Sequence, residues 1–296
     1  MGLETSILLV QIAGVAVAAA QEAGDFFRAK LDSQKIVKTK SSASDLVTEV
    51  DPECERMIRE RILHAFPTHE ILGEESTPPG SEASATATAA VVGAPHLWVV
   101  DPLDGTTNFV YEVPLSVVSI AYAENGVIQV GVIYDPYRSE FFLGIRNLGA
   151  WRFTADDATD WLKAPSSVVP GRKLSVSISE ELEDSVVASG FPTRARSRDL
   201  TTEAGFRLSA RVKSLRSFGS AAMHLAYVAA GRLDAFWEYD LNAWDLAAGV
   251  LLVELAGGHC MDLNGAPYTL SVRDIVVSGQ QRLGDTIRTM VYFEAP

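Results

Sequence analysis

Two cysteines in 296 residues cannot build a disulfide framework, and Cys54 and Cys260 form no Cys-x-x-Cys metal motif. Such usage fits a reducing compartment, so a cytoplasmic location is expected, or an organelle stroma if a transit peptide has been removed. Histidine is sparse as well. His64, His69, His96, His224 and His259 lack the i,i+4 spacing of a helical zinc site and read as surface or packing residues. Basic residues are outnumbered, 25 Lys and Arg against 38 Asp and Glu, and the net charge of −13 argues against nucleic acid or an anionic membrane as partner. Long apolar runs are missing too. Ile7 to Ala20 falls short of a membrane span and has no basic leader, which makes it a buried first helix rather than a signal. Met1-Gly2-Leu3-Glu4-Thr5-Ser6 matches a myristoylation pattern only formally. Neither a Gly-x-Ser-x-Gly elbow nor a Gly-x-x-x-x-Gly-Lys phosphate loop occurs, which removes the usual serine-nucleophile and nucleotide-loop schemes.

With 47% hydrophobic residues the chain can bury a large core. The patterning predicts a first helix over about Thr5–Ala29 and a strand-like segment over Lys35–Lys40. Asp51-Pro52, followed by Glu53 and Glu55, predicts a helix start with Asp51 as N-cap, running to about Phe66. Glu70–Glu75 reads as a strand ending in acids. Residues 76–96 turn to Pro, Gly, Ser, Ala and Thr and read as a flexible loop. From Ser116 to Phe153 the chain alternates like an antiparallel meander, with Asn125-Gly126 as a hairpin signal. The second half mixes strands near 175–179, 214–217, 235–238 and 275–278 with helices near 199–212, 220–230, 244–256 and 281–291. No linker divides it, so a single α+β domain is expected over 1–296, with subdomains of roughly 1–160 and 161–296.

The most informative stretch is Trp98-Val99-Val100-Asp101-Pro102-Leu103-Asp104-Gly105-Thr106-Thr107-Asn108-Phe109. An apolar strand ends in two aspartates three apart, Pro-Leu-Asp-Gly forces a turn, and Thr106 and Thr107 stand where a helix would begin. Carboxylates for a hard cation beside free N–H groups for an anion are what metal-dependent phosphate cleavage requires. Further acids sit at the edges of apolar elements: Asp51 after Asp45-Leu46-Val47-Thr48, Glu74 in Gly73-Glu74-Glu75-Ser76, and Asp245 in Trp244-Asp245-Leu246. Rigid scaffolds usually present ligands at such edges.

Taken in this order, these motifs resemble the inositol monophosphatase family from about Lys40 to Gly279. The resemblance implies a layered αβαβα sandwich of the inositol monophosphatase / fructose-1,6-bisphosphatase type, usually a homodimer. It implies that Glu74, Asp101 and the carbonyl of Leu103 hold a first Mg2+, that Asp101, Asp104 and Asp245 hold a second, and that Glu74 serves a weaker third. Thr106 and Asp51 match the pair that orients the attacking water, with Glu74 counted among the catalytic groups. Gly105 and Thr106 match phosphate-binding amides, and Lys40 a basic residue near the entrance. Glu238 matches the carboxylate that holds substrate hydroxyls, with Gly219, Ser220 and Ala221 forming the adjacent wall; Asp104 and Asp245 count on the substrate side as well as the metal side. Leu103 stands where isoleucine is common, Ser220 where threonine is frequent, and 76–96 is longer than the usual connection.

The implied function is Mg2+-dependent, lithium-sensitive hydrolysis of a small phosphate monoester by an activated water, inositol monophosphate first. Galactose 1-phosphate, histidinol phosphate and fructose 1,6-bisphosphate are the alternatives. Thr107 stands where the nucleotide-directed branch tends to carry a basic residue, which favours the inositol-type branch. A non-catalytic metal- or phosphate-binding protein on the same fold is the alternative of another class, and it predicts loss of ligands that are all present here.

Overall fold

The alternation between Val117 and Thr154 closes into four antiparallel strands, and the other layers are stacked on them. The computed structural model describes residues 3–40 and 45–293. Its first half contains α1 (Leu3–Arg28), β1 (Lys38–Thr39), β2 (Leu46–Val47), α2 (Val50–Ala65), β3 (Glu70–Gly73), α3 (Ser81–Val91), β4 (Leu97–Asp104), α4 (Thr106–Val110), β5 (Val117–Glu124), β6 (Val127–Asp135), β7 (Glu140–Ile145), β8 (Gly149–Thr154), α5 (Ala155–Trp161) and β9 (Arg172–Lys173). The second half adds β10 (Val186–Ser189), α6 (Ala195–Ser209), β11 (Ser214–Arg216), α7 (Ala221–Ala229), β12 (Ala235–Glu238), α8 (Ala243–Leu255), β13 (His259–Asp262), β14 (Ile275–Ser278) and α9 (Gln281–Val291).

Strands β3 to β9 form a seven-stranded sheet in sequence order, parallel only at β3–β4. The hairpin between β5 and β6 turns on Asn125 and Gly126, both at positive φ, as a tight two-residue loop demands. A five-stranded sheet has the order β11-β10-β12-β14-β13, with β10 parallel to both of its neighbours. Because side chains alternate along a strand, β4 sends Trp98 and Val100 to one face and Val99 to the other. Both faces are covered. Ile12, Val17 and Phe27 of α1, with Ile58 and Ile62 of α2, pack on the outer face. Leu225 of α7, with Leu251 and Leu252 of α8, fills the space between the sheets against Ile133, Phe142, Phe236 and Val277. Leu208 of α6, with Leu283 and Ile287 of α9, covers the far side of the small sheet over Val187, Trp237 and Val276. The order is αβαβα, as the resemblance implied.

Several local expectations are corrected. Residues 76–96 are not a flexible loop, since 81–91 form α3. Its hydroxyls bond back to carbonyls of the preceding turn, Ser84 to Ser81, Thr86 to Glu82 and Thr88 to Ser84, so small polar residues do not oppose the helix. Asp51 is not the N-cap: α2 begins at Val50, and the Asp51 carboxylate instead accepts the Thr48 amide and hydroxyl. No strand forms over 175–179, where the Val176 amide bonds to the Ala256 carbonyl rather than to a sheet. Only Lys38 and Thr39 pair within 35–40. The first helix is longer than its apolar core, and Ile7–Arg28 reaches the length and hydropathy that could cross a membrane; in this fold its Ile12, Ala13, Val17 and Ala20 are fully buried against the large sheet. Met1 and Gly2 of the myristoylation pattern lie outside the described residues.

His224 of α7 is fully buried between the rings of Phe218 and Phe236, and its Nε2 accepts the Phe218 amide at 2.9 Å. Burial pushes its pKa down to about 3 from an ordinary 6.5. The neutral imidazole is therefore the native form. Its stability contribution is fully present above 6.5 and is lost as pH falls from there towards 3, at about 1.4 kcal/mol per pH unit for one proton. Denaturant unfolding at pH 7, 6 and 5 should show this slope, and His224→Gln should flatten it. Equal slopes in both proteins would place the acid sensitivity elsewhere.

Candidate active site

Two neighbouring parallel strands, β3 and β4, end at the same edge of the large sheet. Pairing of β4 with β5 is interrupted between Asp101 and Asp104, where Pro102 has no amide to give. In that irregular step Asp101 is buried and accepts the Leu103 amide at 3.0 Å. Asp104 accepts both the Ser220 hydroxyl and the Ala222 amide at 2.7 Å. Gly105, at φ +100°, then turns the chain into α4. Thr106 Oγ1 lies 3.0 Å from Asp51 Oδ1 and 3.3 Å from the Leu103 carbonyl oxygen. Once its proton is directed at Asp51, its remaining lone pairs are free to accept.

Asp51 has a companion that the sequence motifs did not mark. Glu55 lies one turn further along α2, buried, and accepts the Glu75 amide at 2.7 Å. A Cβ at Gly73 would meet its carboxylate at 2.5 Å, so the turn after β3 is seated directly on it. The i,i+4 spacing from Asp51 was the available signal. Beyond that turn, Lys40 Nζ lies 2.8 Å from Glu74 and 2.6 Å from Glu75. Burial opposes the lysine charge, but these two carboxylates overcome it and hold the pKa above the ordinary value. Glu75 itself is pushed up to about 8 by burial and by Glu74, against the pull of Lys40.

The small sheet and the middle layer supply the other side. Asp245, in the first turn of α8, accepts the Asn242 amide at 2.6 Å. Glu238 ends β12 almost wholly buried and receives the Gly190 amide. A Cβ at Gly190 would lie 2.3 Å from the Glu238 carboxylate, so only a glycine lets the chain pass there. Gly219 is exposed, whereas Ser220 and Ala221 are buried. The Ser220 hydroxyl donates to Asp104 and accepts the Met223 amide. Lys40, Glu74, Glu238 and Asp245 line one cleft of about 1590 Å³.

Asp101 is raised well above the ordinary carboxylate range by burial and by repulsion from Glu74, Asp104 and Asp245. Burial and charge likewise raise Asp245, mainly through Asp104 and Glu74, and burial lifts Asp104 to about 6. Such a set of oxygen donors, pressed together against their own repulsion, fits a hard divalent cation rather than a soft metal. Among the described residues, no three His, Cys, Asp or Glu side chains are already drawn into a closed ligating group.

A family profile described as the inositol monophosphatase family matches residues 8–293. The chain belongs to that family. It is 33% identical to the inositol-1-monophosphatase of Rhizobium meliloti, covering 99% of this chain and 98% of that one. It is 36% identical to the Nus factor SuhB of Pseudomonas aeruginosa, covering 95% and 96%. Among solved structures, the IMPase of Thermotoga maritima superposes with a TM-score of 0.77 at 29% identity over 93% of this chain and 94% of that one. Family and relatives indicate a metal-dependent phosphatase acting on a small phosphorylated substrate.

Glu55 gives a direct check on how the turn after β3 is held. Glu55→Ala leaves the part-buried Glu75 amide without its partner and should cost about 1 kcal/mol in urea unfolding. It should also slow turnover of phenyl phosphate more than Glu55→Gln, which keeps an acceptor oxygen. Equal behaviour of the two variants would remove that bond from the account.

Proposed function

We propose that the protein hydrolyses a small phosphate monoester, inositol monophosphate being the substrate its site suits best, with two or three Mg2+ per site. The reading is carried by one juxtaposition, the Thr106 hydroxyl hydrogen-bonded to Asp51 beside the repelling carboxylates of Glu74, Asp101, Asp104 and Asp245. Those four carboxylates and the Leu103 carbonyl are the groups that would hold the cations. Bound Mg2+ supplies neutralisation of the phosphate charge and acidification of water.

This chain's own groups do the rest. Thr106, anchored on Asp51, accepts a hydrogen bond from the attacking water and fixes its approach, and the buried Asp51 carboxylate receives the proton passed along that contact. The Gly105 and Thr106 amides open α4, where helix-start N–H groups lack intrahelical partners, and are the donors proposed for the phosphate. Lys40 adds positive charge at the mouth of the cleft. Glu238, acceptor-only when ionised, takes hydrogen bonds from the hydroxyls of the leaving polyol. Galactose 1-phosphate, histidinol phosphate and fructose 1,6-bisphosphate are the alternatives of the same class, and a cytoplasmic homodimer inhibited by lithium belongs to the same reading. Other relatives carry the name Nus factor SuhB.

Two substitutions separate the assigned roles. Thr106→Ala should lower kcat with Mg2+ by about 10²-fold or more, because the nucleophile loses its orientation, while calorimetry shows Mg2+ binding retained; an unchanged kcat would take Thr106 out of the mechanism. Glu238→Ala should raise KM for inositol 1-phosphate while affecting phenyl phosphate much less, since that ester has no neighbouring hydroxyls. Equal losses on both esters would mean that Glu238 serves the fold or the cations.

A further inference from the structure

Helix α3 has no part in the chemistry above, yet its Ser81, Ser84 and Ala87 border the same cleft as Glu238 and Asp245. It is fastened there by one guanidinium. Arg273 Nη1 donates to Ser84 Oγ and to Asn242 Oδ1, both at 2.9 Å. Its Nη2 donates to Ser81 Oγ at 3.2 Å and to Asp240 Oδ1 at 3.0 Å. Ser81 Oγ in turn donates to Asp240 Oδ1 at 2.5 Å. Asp240 and Asn242 belong to the turn between β12 and α8, the turn flanked by Glu238 and Asp245. Arg273 therefore ties α3 to the segment that carries both acids. A fork of fixed donors suits this task as a lysine could not.

The cleft side of α3 offers few hydrogen-bond donors. The Ser81 and Ser84 hydroxyls are spent on Arg273, on Asp240 and on the Ser81 carbonyl. The Thr86 hydroxyl is spent on the Glu82 carbonyl, Ala83 and Ala87 have no polar side-chain atoms, and the exposed Glu82 carboxylate, which also lines the cleft, accepts but does not donate when ionised. A surface with its donors already used selects by shape.

We infer that α3 is a specificity wall for the leaving group and that Arg273 is the positioning residue that holds it, so that the cleft excludes bulky leaving alcohols. The inference rests on the phosphatase reading. The Ser81→Ala/Ser84→Ala double variant removes both hydroxyls from the fork but keeps Arg273 on Asp240 and Asn242, so the turn leading to Asp245 stays tied. Arg273→Gln is the second variant, which loosens both ends.

Two readouts are taken on the Mg2+-loaded protein. Hydrogen exchange should show the amides of 84–92 losing about tenfold or more of their protection in both variants, a local opening rather than global unfolding. The ratio of kcat/KM for adenosine 2′-monophosphate to that for inositol 1-phosphate should rise by about tenfold in both, a size of change that one removed steric contact can produce. Unchanged exchange overturns the fastening. Loosened exchange with a ratio unchanged within about twofold overturns the wall. Failure of the wild-type protein to hydrolyse either ester, or phenyl phosphate, sinks the phosphatase reading and this inference with it, whatever the exchange shows.

Discussion

Buried carboxylates repel one another, and this fold gathers them at one place by giving each a backbone amide. Asp51 accepts from Thr48, Glu55 from Glu75, Asp101 from Leu103, Asp104 from Ala222, Glu238 from Gly190 and Asp245 from Asn242. An amide is fixed by the main chain and cannot swing away as a lysine can. Charge-assisted bonds of this kind are about twice as strong as neutral ones. The acids therefore stay aimed inward although burial and mutual repulsion favour their neutral forms. Lys40 neutralises only the rim, through Glu74 and Glu75. The all-oxygen donor set determines what kind of cation would fit among the acids.

The same amides link the layers. Asp104 belongs to the large sheet, while the Ser220 and Ala222 groups that hold it open α7 in the middle layer. Asn108, in α4, donates to the Phe218 carbonyl at 2.7 Å, and Ser119 of β5 donates to the Trp244 carbonyl at 3.2 Å, beside Asp245. The two halves thus meet through polar bonds at the site and through the α7–α8 apolar layer elsewhere. A shift of the small sheet would drag Glu238 and Asp245 away from Asp101 and Asp104. Precision of the site is inherited from packing of the sandwich.

Legibility in the sequence followed how local the cause was. The strands 235–238 and 275–278 and the helix 281–291 could be read to the residue, because periodicity and flanking turn residues set them. The run from Trp98 to Phe109 announced a strand, a turn and a helix start, and the structure has all three. Helix α3 was hidden because Ser, Thr and Ala suit a loop as well as a helix; what decides are hydroxyl-to-carbonyl bonds and the tie to Arg273, 189 residues from Ser84. Gly190 and Glu55 were hidden for another reason. Their importance is a close approach, to Glu238 and to Gly73, that only the folded chain creates.

The placement of Asp51 and Glu55 on a helix has a geometric reason. Four helical residues rise about 6 Å along the axis, and adjacent strands lie about 4.8 Å apart. A helix packed across the ends of two neighbouring strands can therefore put one acid under each following turn, provided the acids are one turn apart on its inner face. α2 does this, with Asp51 on Thr106 after β4 and Glu55 on the turn after β3. Ile58 and Ile62 continue the same buried face into the apolar layer. The position of the Thr106 hydroxyl relative to Glu74 is thus measured off along a single rigid element, whereas acids placed on two separate loops would have let that distance drift.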